Sequence, residues 1–392
     1  MNLANAKILV VDDVAENRDL LLRRLQRLGL KHIDQAENGI EALAAIDKTA
    51  YDLMLLDIMM PLMDGFAVLD ALRAQKRATD LPIIVISAMN ELDAVVRCIE
   101  NGAEDFLFKP FNPVMLRARV MSSLEKKALR DKTRDELRRK QIELNEARTL
   151  QLALVPPPYH ELHGERPVAF DVHLEPAKEV GGDLVDHFRI DDDLVAFLIG
   201  DVSDKGAGAA LMMARTHSMF RSLATRPDAR ALFADPANAM TMVNTALAAN
   251  NSSCMFVTLF LGTLDPATLQ LTYVRAGHVP PFQRNGSAVK RLDGAGGPPL
   301  GLVEDMRYKQ HAVVLSPDDS LLVLTDGFSE ANNPDGQLFG DERISAFLAE
   351  APPAGPATLP ALVEAVRAFE AGQPQFDDMA AVLLSFRPVA GA

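Results

Sequence analysis

What the chain lacks narrows the kinds of protein it can be. It contains no tryptophan and two cysteines, Cys98 and Cys254, without the spacing of a zinc site or a disulfide framework. We expect both thiols to be buried, in a protein of a reducing compartment. No apolar run reaches the roughly 18–20 residues of a membrane span, and the first residues are not typical of a signal peptide. The expectation is a cytoplasmic protein with no membrane contact.

The chain also lacks an excess of positive charge. Its 40 basic residues face 54 acidic ones, which gives a formal net charge of −14. This balance argues against nucleic acid as the main partner, because binding a phosphate backbone needs a basic surface. A length of 392 residues is enough for two or three domains with sizeable cores.

Residues 7–112 alternate apolar strands with helical patterns, which predicts a doubly wound parallel sheet. Polar side chains stand where the strands end: Asp12 and Asp13, Asp57, Ser87, and Lys109. The carboxyl ends of parallel strands meet at one edge of a sheet, so these groups share one crevice. The carboxylates can bind Mg²⁺ there, and the lysine and hydroxyl can hold the oxygens of a phosphoryl group on Asp57.

This arrangement, with DIMMPLMDG at 57–65, resembles the receiver domain of two-component response regulators over residues 5–122. The resemblance implies that Asp57 is the phosphoacceptor and that a sensor histidine kinase or phosphotransfer protein supplies the phosphoryl group. It also implies roles for the neighbouring side chains: Mg²⁺ binding by Asp12, Asp13 and Asp57, and a switch formed by Ser87, Phe108 and Lys109.

Residues 113–154 read as one long helix, densely charged from Glu125 to Arg148. Leu137 and Leu144 lie one heptad apart, and Leu124 could extend the seam, but charged residues interrupt it. Two interpretations remain open: a solvated spacer, or a partly polar coiled coil that joins two copies in a homodimer. The prolines of LQLALVPPP, at 150–158, end the helix.

Acidic residues recur beside strands in the second half of the chain. The stretch 194–213, LVAFLIGDVSDKGAGAALMM, places Asp201 where an apolar strand ends. Asp183 follows two glycines, Asp326 follows SLLVLT, and Asp377 precedes the last strand. Converging carboxylates repel one another, and divalent cations would neutralise them. Oxygen ligands without a set of His or Cys favour Mg²⁺ or Mn²⁺ over zinc.

Several separated motifs lie in the order found in bacterial metal-dependent serine/threonine phosphatases: GGD at 181–183, GDVSDKG at 200–206, AGH at 276–278, TDG at 325–327 and DDM at 377–379. Residues 150–388 resemble the protein phosphatase 2C-like subgroup that includes the stage II sporulation phosphatase and stress-response anti-sigma-pathway phosphatases. Three positions depart from that pattern: Asp204, Arg275 and Ala380.

The resemblance implies an α+β domain, a β-sandwich flanked by helices with the metal site at its edge. It implies two Mg²⁺ or Mn²⁺ ions, which lower the pKa of a water that attacks a phosphoserine or phosphothreonine. The implied catalytic ligands are Asp183, Asp201, Asp326 and Asp377, with the Val202 carbonyl. Three further residues rank lower: Asp378 as a ligand, an acid that supports the ligands or a cap, Asp186 as a turn residue or one that supports the ligands, and His278 as general acid or loop brace.

The sequence therefore predicts a multidomain protein: a receiver at 1–122, a helical linker at 123–155 and a phosphatase at 156–392. Phosphorylation of Asp57 would control the phosphatase, and the resemblance implies an anti-sigma-factor antagonist as substrate. The rival interpretation is a catalytically silent adaptor that binds a sigma factor or anti-sigma partner. A cyclase output lacks a GGDEF-like run, and a DNA-binding output lacks a helix-turn-helix module. The Gly- and Pro-rich segment Asn285–Asp305 is a candidate substrate-facing flap.

Overall fold

The computed structural model describes residues 5–75, 80–88, 92–110, 112–163, 166–249 and 251–386. The chain forms two compact units, Met1–Lys140 and Gln141–Ala392. Among the described residues, no helix has both the length and the apolar character needed to cross a membrane.

The N-terminal unit is built on a parallel sheet in the order β2-β1-β3-β4-β5. Its strands are β1 (Lys7–Val11), β2 (His32–Ala36), β3 (Leu53–Asp57), β4 (Ile83–Ser87) and β5 (Asp105–Phe108). Every residue of β3 and β4 is buried, as expected where helices cover both faces of a sheet. The predicted doubly wound sheet is confirmed.

Among the residues described in this unit, the helices are α1 (Ala15–Arg27), α2 (Gly39–Lys48), α3 (Gly65–Ala74), α4 (Leu92–Glu100) and α5 (Pro113–Leu152), the last of which continues into the second unit. Gly65 lets α3 begin against the end of β3, since a Cβ there would lie 2.4 Å from the carbonyl oxygen of Asp57. Asp64 caps α3 by accepting a hydrogen bond from the amide of Ala67 at 2.8 Å.

Helix α5 confirms the predicted long helix and runs for 40 residues. Its first turns belong to the receiver core, because Leu116, Val120 and Leu124 pack with residues of β1, β3 and β4. Leu124 is fully buried there, so it is not available to extend an intermolecular seam. Leu137, by contrast, is 63% exposed.

The C-terminal unit contains two antiparallel sheets, in the orders β14-β11-β10-β9-β8 and β13-β12-β15-β16-β7-β6. The first is made of β8 (Leu184–Asp191), β9 (Leu194–Val202), β10 (Val257–Asp265), β11 (Gln270–Ala276) and β14 (His311–Val314). The second is made of β6 (Tyr159–His163), β7 (Arg166–Glu175), β12 (Phe282–Asn285), β13 (Ala288–Arg291), β15 (Asp319–Leu324) and β16 (Met379–Ser385).

Side chains from both sheets form a shared core that includes Phe170, Phe197, Phe260 and Leu321. In the described part of this unit the helices are α6 (Ala207–Ala224), α7 (Ala229–Ala234), α8 (Pro236–Ala248), α9 (Asp326–Ser329), α10 (Gly340–Glu350) and α11 (Thr358–Glu370). Helices α6, α7 and α8 pack on the first sheet, and helices α9, α10 and α11 pack on the second. This is the predicted β-sandwich flanked by helices.

Two local expectations were wrong. The segment Asn285–Asp305 is not the continuous loop that was expected, because β13 pairs with β12 and Leu300 exchanges backbone hydrogen bonds with Val257; that it faces the substrate stays a prediction. Its Gly and Pro content reflects turns around short paired strands rather than mobility. Cys98 is buried as expected, but Cys254 is exposed in a turn with a positive φ of 55°.

Two candidate acidic sites

In the receiver, Lys109 lies between two buried carboxylates. Its Nζ donates to Asp57 Oδ2 at 2.6 Å and to Asp12 Oδ2 at 2.7 Å. One oxygen each from Asp12, Asp13 and Asp57 lies within 4.8 Å of the others. The fold therefore brings together the three acids and the lysine that the sequence placed at strand ends. Oxygen atoms at that spacing suit Mg²⁺.

Burial raises the pKa of Asp57, and the hydrogen bond and charge of Lys109 oppose that effect. The pKa of Lys109 is raised: burial alone would lower it, and the bonds to Asp12 and Asp57 outweigh burial. The ammonium form is therefore the resident state, and it offsets part of the repulsion between the two acids.

The other two predicted switch residues lie on the next two strands: Ser87 follows Ile86, the register partner of Asp57, and Phe108 lies one strand farther away, on β5. Ser87 ends β4 and pairs in register with Phe108 on β5. Phe108 is 41% exposed and makes an edge contact with Phe106, with ring centroids 5.1 Å apart. Sequence reasoning missed Arg18, a buried side chain that donates to the carbonyl oxygens of Asp12 and Asp13 at 2.8 and 3.1 Å. Its position inside α1 gave no signal for that role.

In the C-terminal unit, the strand register gathers the second set of acids. Pairing of Leu184 with Gly200 brings Asp183, just before β8, beside Asp201 near the end of β9. Asp326 begins α9 after β15, and Asp377 lies just before β16, the partner strand of β15. The charges of Asp326 and Asp377 act on Asp201 from the other sheet. All four predicted ligands thus belong to one electrostatic cluster.

The pKa values of this cluster show how crowded it is. Burial and the charges of Asp201 and Asp378 raise the pKa of Asp183 well above its usual value. Burial and the charges of Asp326, Asp377 and Asp378 raise the pKa of Asp201 to about 7. Burial, followed by Glu330 and Asp377, raises the pKa of Asp326 to about 6. A bound cation would remove the repulsion that these shifts express.

Thr325, which sequence reasoning quoted but did not assign, fixes Asp183. Its Oγ1 donates to Asp183 Oδ2 at 2.7 Å and accepts from the amide of Ala380 at 2.9 Å. The backbone of residue 380 makes that contact, and the Ala380 side chain packs in the core between the sheets. The departure at Ala380 therefore leaves the support of Asp183 in place.

The carboxylate of Asp378 accepts hydrogen bonds from backbone amides and does not extend the open side of the cluster. Its Oδ1 accepts from the amide of Ala177 and its Oδ2 from the amide of Gly182, both at 2.7 Å. A Cβ at Gly181 would lie 2.2 Å from Asp378 Oδ2, so this position requires glycine. Asp378 therefore clamps the loop that carries Asp183, which favours a positioning role over a ligand role.

The carbonyl of Val202 faces the same loop. A Cβ on Gly182 would lie 3.0 Å from Val202 O, so glycine keeps this approach open. Lys205, in the turn after β9, was quoted within a motif without an assigned role. Its Nζ lies 2.9 Å from Asp377 Oδ2.

Two lower-ranked residues lie in other settings. Asp186 is fully buried inside β8, not in a turn, and forms a two-oxygen ion pair with Arg221 at 2.5 Å. His278 is buried with Nδ1 3.1 Å from Thr258 Oγ1, and burial lowers its pKa to about 3. Arg275 holds the same turn by donating to the carbonyl oxygen of His278 at 2.8 Å. A histidine neutral at physiological pH favours the loop brace over the general acid.

The donor set fits hard divalent cations. Carboxylates are the candidate ligands in both clusters, and the raised pKa values of Asp183, Asp201 and Asp326 mark charge that the protein leaves uncompensated. In both clusters the candidate ligand atoms are oxygens, the type of ligand atom that Mg²⁺ and Mn²⁺ prefer.

Comparisons with known proteins match the two halves of the chain to two different families. Residues 191–387 match the family described as Stage II sporulation protein E (SpoIIE), and residues 8–121 match the response regulator receiver domain. The chain belongs to the SpoIIE family and carries a receiver domain before its phosphatase-type domain.

Protein IcfG of Synechocystis sp. is 31% identical over 196 residues, which cover 45% of this chain and 31% of that protein. The transcriptional regulatory protein ResD of Bacillus subtilis is 46% identical over 117 residues, 29% of this chain and 47% of ResD. The chain thus spans about a third to a half of the length of these relatives. The SiaA-PP2C domain of Pseudomonas aeruginosa, 21% identical, covers 64% of this chain and 99% of that domain with a TM-score of 0.55; this likeness shows the fold.

Proposed function

We propose that this protein is a response regulator in which phosphorylation of Asp57 controls a cation-dependent protein serine/threonine phosphatase. One observation carries the proposal: the charges of acids from both sheets of the C-terminal unit act on one another, with the pKa of Asp201 raised to about 7 and that of Asp326 to about 6. Such a concentration of uncompensated carboxylate is costly to a fold and is typical of functional sites.

Asp183, Asp201, Asp326 and Asp377, with the Val202 carbonyl, would hold Mg²⁺ or Mn²⁺. When bound, such cations screen the charge of a phosphate ester and make water more acidic. The chain's own groups prepare this site. Thr325 orients Asp183 by hydrogen bonding, and Asp378 fixes the loop that precedes it.

On the receiver side, the geometry supports phosphorylation at Asp57. Asp57 Oδ1 accepts from the amide of Met59 at 3.3 Å, and Oδ2 is bound by Lys109. A phosphoryl group on Asp57 would take Lys109 as a counter-charge, and Asp12 and Asp13 would hold Mg²⁺ beside it. Ser87 and Phe108, paired in register, form the proposed switch.

The end of α5 supplies a route between the two functions. Gln151 is buried and forms two hydrogen bonds with Gly181: its Nε2 donates to the carbonyl oxygen at 2.9 Å, and its Oε1 accepts from the amide at 3.0 Å. Gly181 belongs to the loop that carries Asp183. Leu124, near the other end of this helix, is buried in the receiver core. We infer that a shift of α5 in the phosphorylated receiver moves the Asp183 loop.

The partners follow from the two chemistries. A sensor histidine kinase or phosphotransfer protein would supply the phosphoryl group, and the substrate would be a phosphoserine or phosphothreonine protein, of which an anti-sigma-factor antagonist is our specific proposal. The exposed leucines of α5, such as Leu137, are consistent with a homodimer through residues 123–155. The adaptor interpretation loses ground because the predicted ligands gather in one cluster.

The test is hydrolysis of p-nitrophenyl phosphate and of a phosphoserine peptide by the full chain, in Mn²⁺, in Mg²⁺ and in EDTA. A second arm adds beryllofluoride with Mg²⁺ to imitate phosphorylated Asp57. We expect cation-dependent turnover whose rate changes when beryllofluoride is added. In Asp57→Asn, we expect beryllofluoride to leave the rate unchanged.

Turnover that persists in EDTA would contradict cation dependence. Equal turnover with and without beryllofluoride would contradict receiver control while leaving the phosphatase intact.

A further inference from the structure

Lys205 places a positive charge at the edge of the phosphatase cluster. Its Nζ lies 2.9 Å from Asp377 Oδ2, donates to the carbonyl oxygen of Phe376 at 2.9 Å, and sits 4.8 Å from the centroid of the Phe376 ring. Its charge lowers the pKa of Asp326 against the effects of burial and neighbouring acids. The lysine thus neutralises part of the cluster on the side of Asp377 and Asp326.

The backbone is shaped to hold the lysine there. Ser203 anchors the turn, because its amide donates to the carbonyl oxygen of Phe256 and its Oγ accepts from the amide of Phe256, both at 2.9 Å. Asp204 then adopts a positive φ of 73°, and Gly206 a φ of 88°. A left-handed conformation at a residue other than glycine is unfavourable and persists when the surroundings impose it. Lys205 stands between these two bends.

We propose that Lys205 is a positioning residue that competes with a divalent cation for Asp377. An ammonium group 2.9 Å from Asp377 Oδ2 fills a direction from which a cation would approach that oxygen. Binding at Asp377 therefore requires Lys205 to leave. The side chain is 35% exposed, so it can turn outward without a large rearrangement. Lys205 thereby weakens cation binding on this side of the cluster.

This inference rests on the proposed cation-dependent phosphatase, and the experiment separates the two. Mn²⁺ is titrated into the cation-free full chain by isothermal calorimetry. The signal of the phosphatase cluster is the part that is lost in Asp201→Asn, because the receiver site is the same in every sample. Lys205→Met keeps the length of the side chain and removes its charge. Lys205→Arg keeps the charge, and Lys290→Met is the matched control at an exposed lysine on β13.

We expect Lys205→Met to tighten the weakest Mn²⁺ binding step of the phosphatase cluster by about two- to fivefold, the size of a partly exposed ion pair. Lys205→Arg should restore the wild-type affinity, and Lys290→Met should leave it unchanged. A purely structural lysine would instead weaken binding when replaced. Circular dichroism identifies a variant that fails to fold; in that case Lys205→Gln replaces Lys205→Met in the same titration.

Equal affinity in wild type and Lys205→Met, or the same tightening in Lys290→Met, would overturn the competition. A titration in which Asp201→Asn removes no signal would instead overturn the proposed cation site itself.

Discussion

The receiver and the phosphatase-type domain both gather carboxylates at strand ends, but they neutralise them differently. In the receiver, Lys109 sits between Asp12 and Asp57 at 2.7 and 2.6 Å. In the C-terminal unit, Lys205 contacts Asp377 at the edge, while Asp201 and Asp326 keep pKa values of about 7 and 6. In the first site a lysine of the chain lies between two of the acids, and in the second the raised pKa values mark carboxylate charge that the chain leaves uncompensated.

The difference matches the chemistry proposed for each site. A receiver must keep Asp57 ready to accept a phosphoryl group, so an internal ammonium suits it. A hydrolytic site must stabilise a phosphate ester and a reacting water at once, which requires more positive charge than one lysine supplies. The comparison therefore predicts that removing an acid, changing the pH or loosening the backbone should affect the phosphatase-type domain strongly.

The largest expected effect is on turnover. Asp201→Asn should lower hydrolysis of p-nitrophenyl phosphate in Mn²⁺ by about 10²–10³-fold, because Asp201 lies where the charges of both sheets meet. Steady-state kinetics measures this, with Asp335→Asn, an exposed loop acid, as the matched control. A loss of less than about tenfold would mean that the cluster is not the reaction centre.

The next effect concerns pH. The folded-state pKa values of Asp201 and Asp326, about 7 and 6, exceed the ordinary value of 3.8. The folded chain therefore holds extra protons between these limits, and the stability they contribute is lost as pH rises from about 4 to about 7. In EDTA, the free energy of unfolding of the C-terminal unit, measured by thermal unfolding, should fall by a few kcal/mol as pH rises over this range.

Added Mn²⁺ should raise the unfolding temperature more at pH 8 than at pH 5, because protons compete with cations for the same carboxylates. Asp201→Asn should flatten the pH dependence in EDTA. A metal-free protein that becomes more stable between pH 4 and 7 would contradict the raised pKa values.

A smaller effect is expected from loosening the loop of Asp183. Asp378→Ala leaves the amides of Ala177 and Gly182 without their partner, which should cost about 1–3 kcal/mol in the free energy of unfolding. Asp378→Asn keeps one acceptor oxygen and should cost less. Urea unfolding measures both. Equal stability of Asp378→Ala and wild type would show that the clamp contributes nothing.

The smallest expected effect tests whether the two sites communicate. Gln151→Ala removes the two hydrogen bonds to Gly181 and should cost about 1–2 kcal/mol in stability. It should also reduce the response of turnover to beryllofluoride. Glu143→Ala, at an exposed position of the same helix, is the control. A full response in Gln151→Ala would place the route elsewhere.

Much of the fold could be predicted from local pattern. The receiver strands are short, apolar and separated by helical periodicity, so their parallel pairing could be predicted from the chain itself. The sequence was less informative about β6, β12, β13 and α10. The two short hairpin strands β12 and β13 hold four residues each, and too few positions alternate to give a period.

The sequence by itself determined which residue types stand at strand ends: Asp12, Asp13, Asp57 and Lys109 in one unit, and Asp183, Asp201, Asp326 and Asp377 in the other. Strand ends are visible locally because apolar runs stop there.

Only the tertiary structure decided how those charges are shared. It brought together four pairs: Lys205 contacts Asp377, Thr325 donates a hydrogen bond to Asp183, Gln151 hydrogen-bonds Gly181, and Asp378 accepts from the amide of Gly182. Each pair joins residues that are far apart in the chain, and no local pattern records such a contact. Burial and the distance between charges set pKa values, and both quantities exist only after the two sheets have packed together.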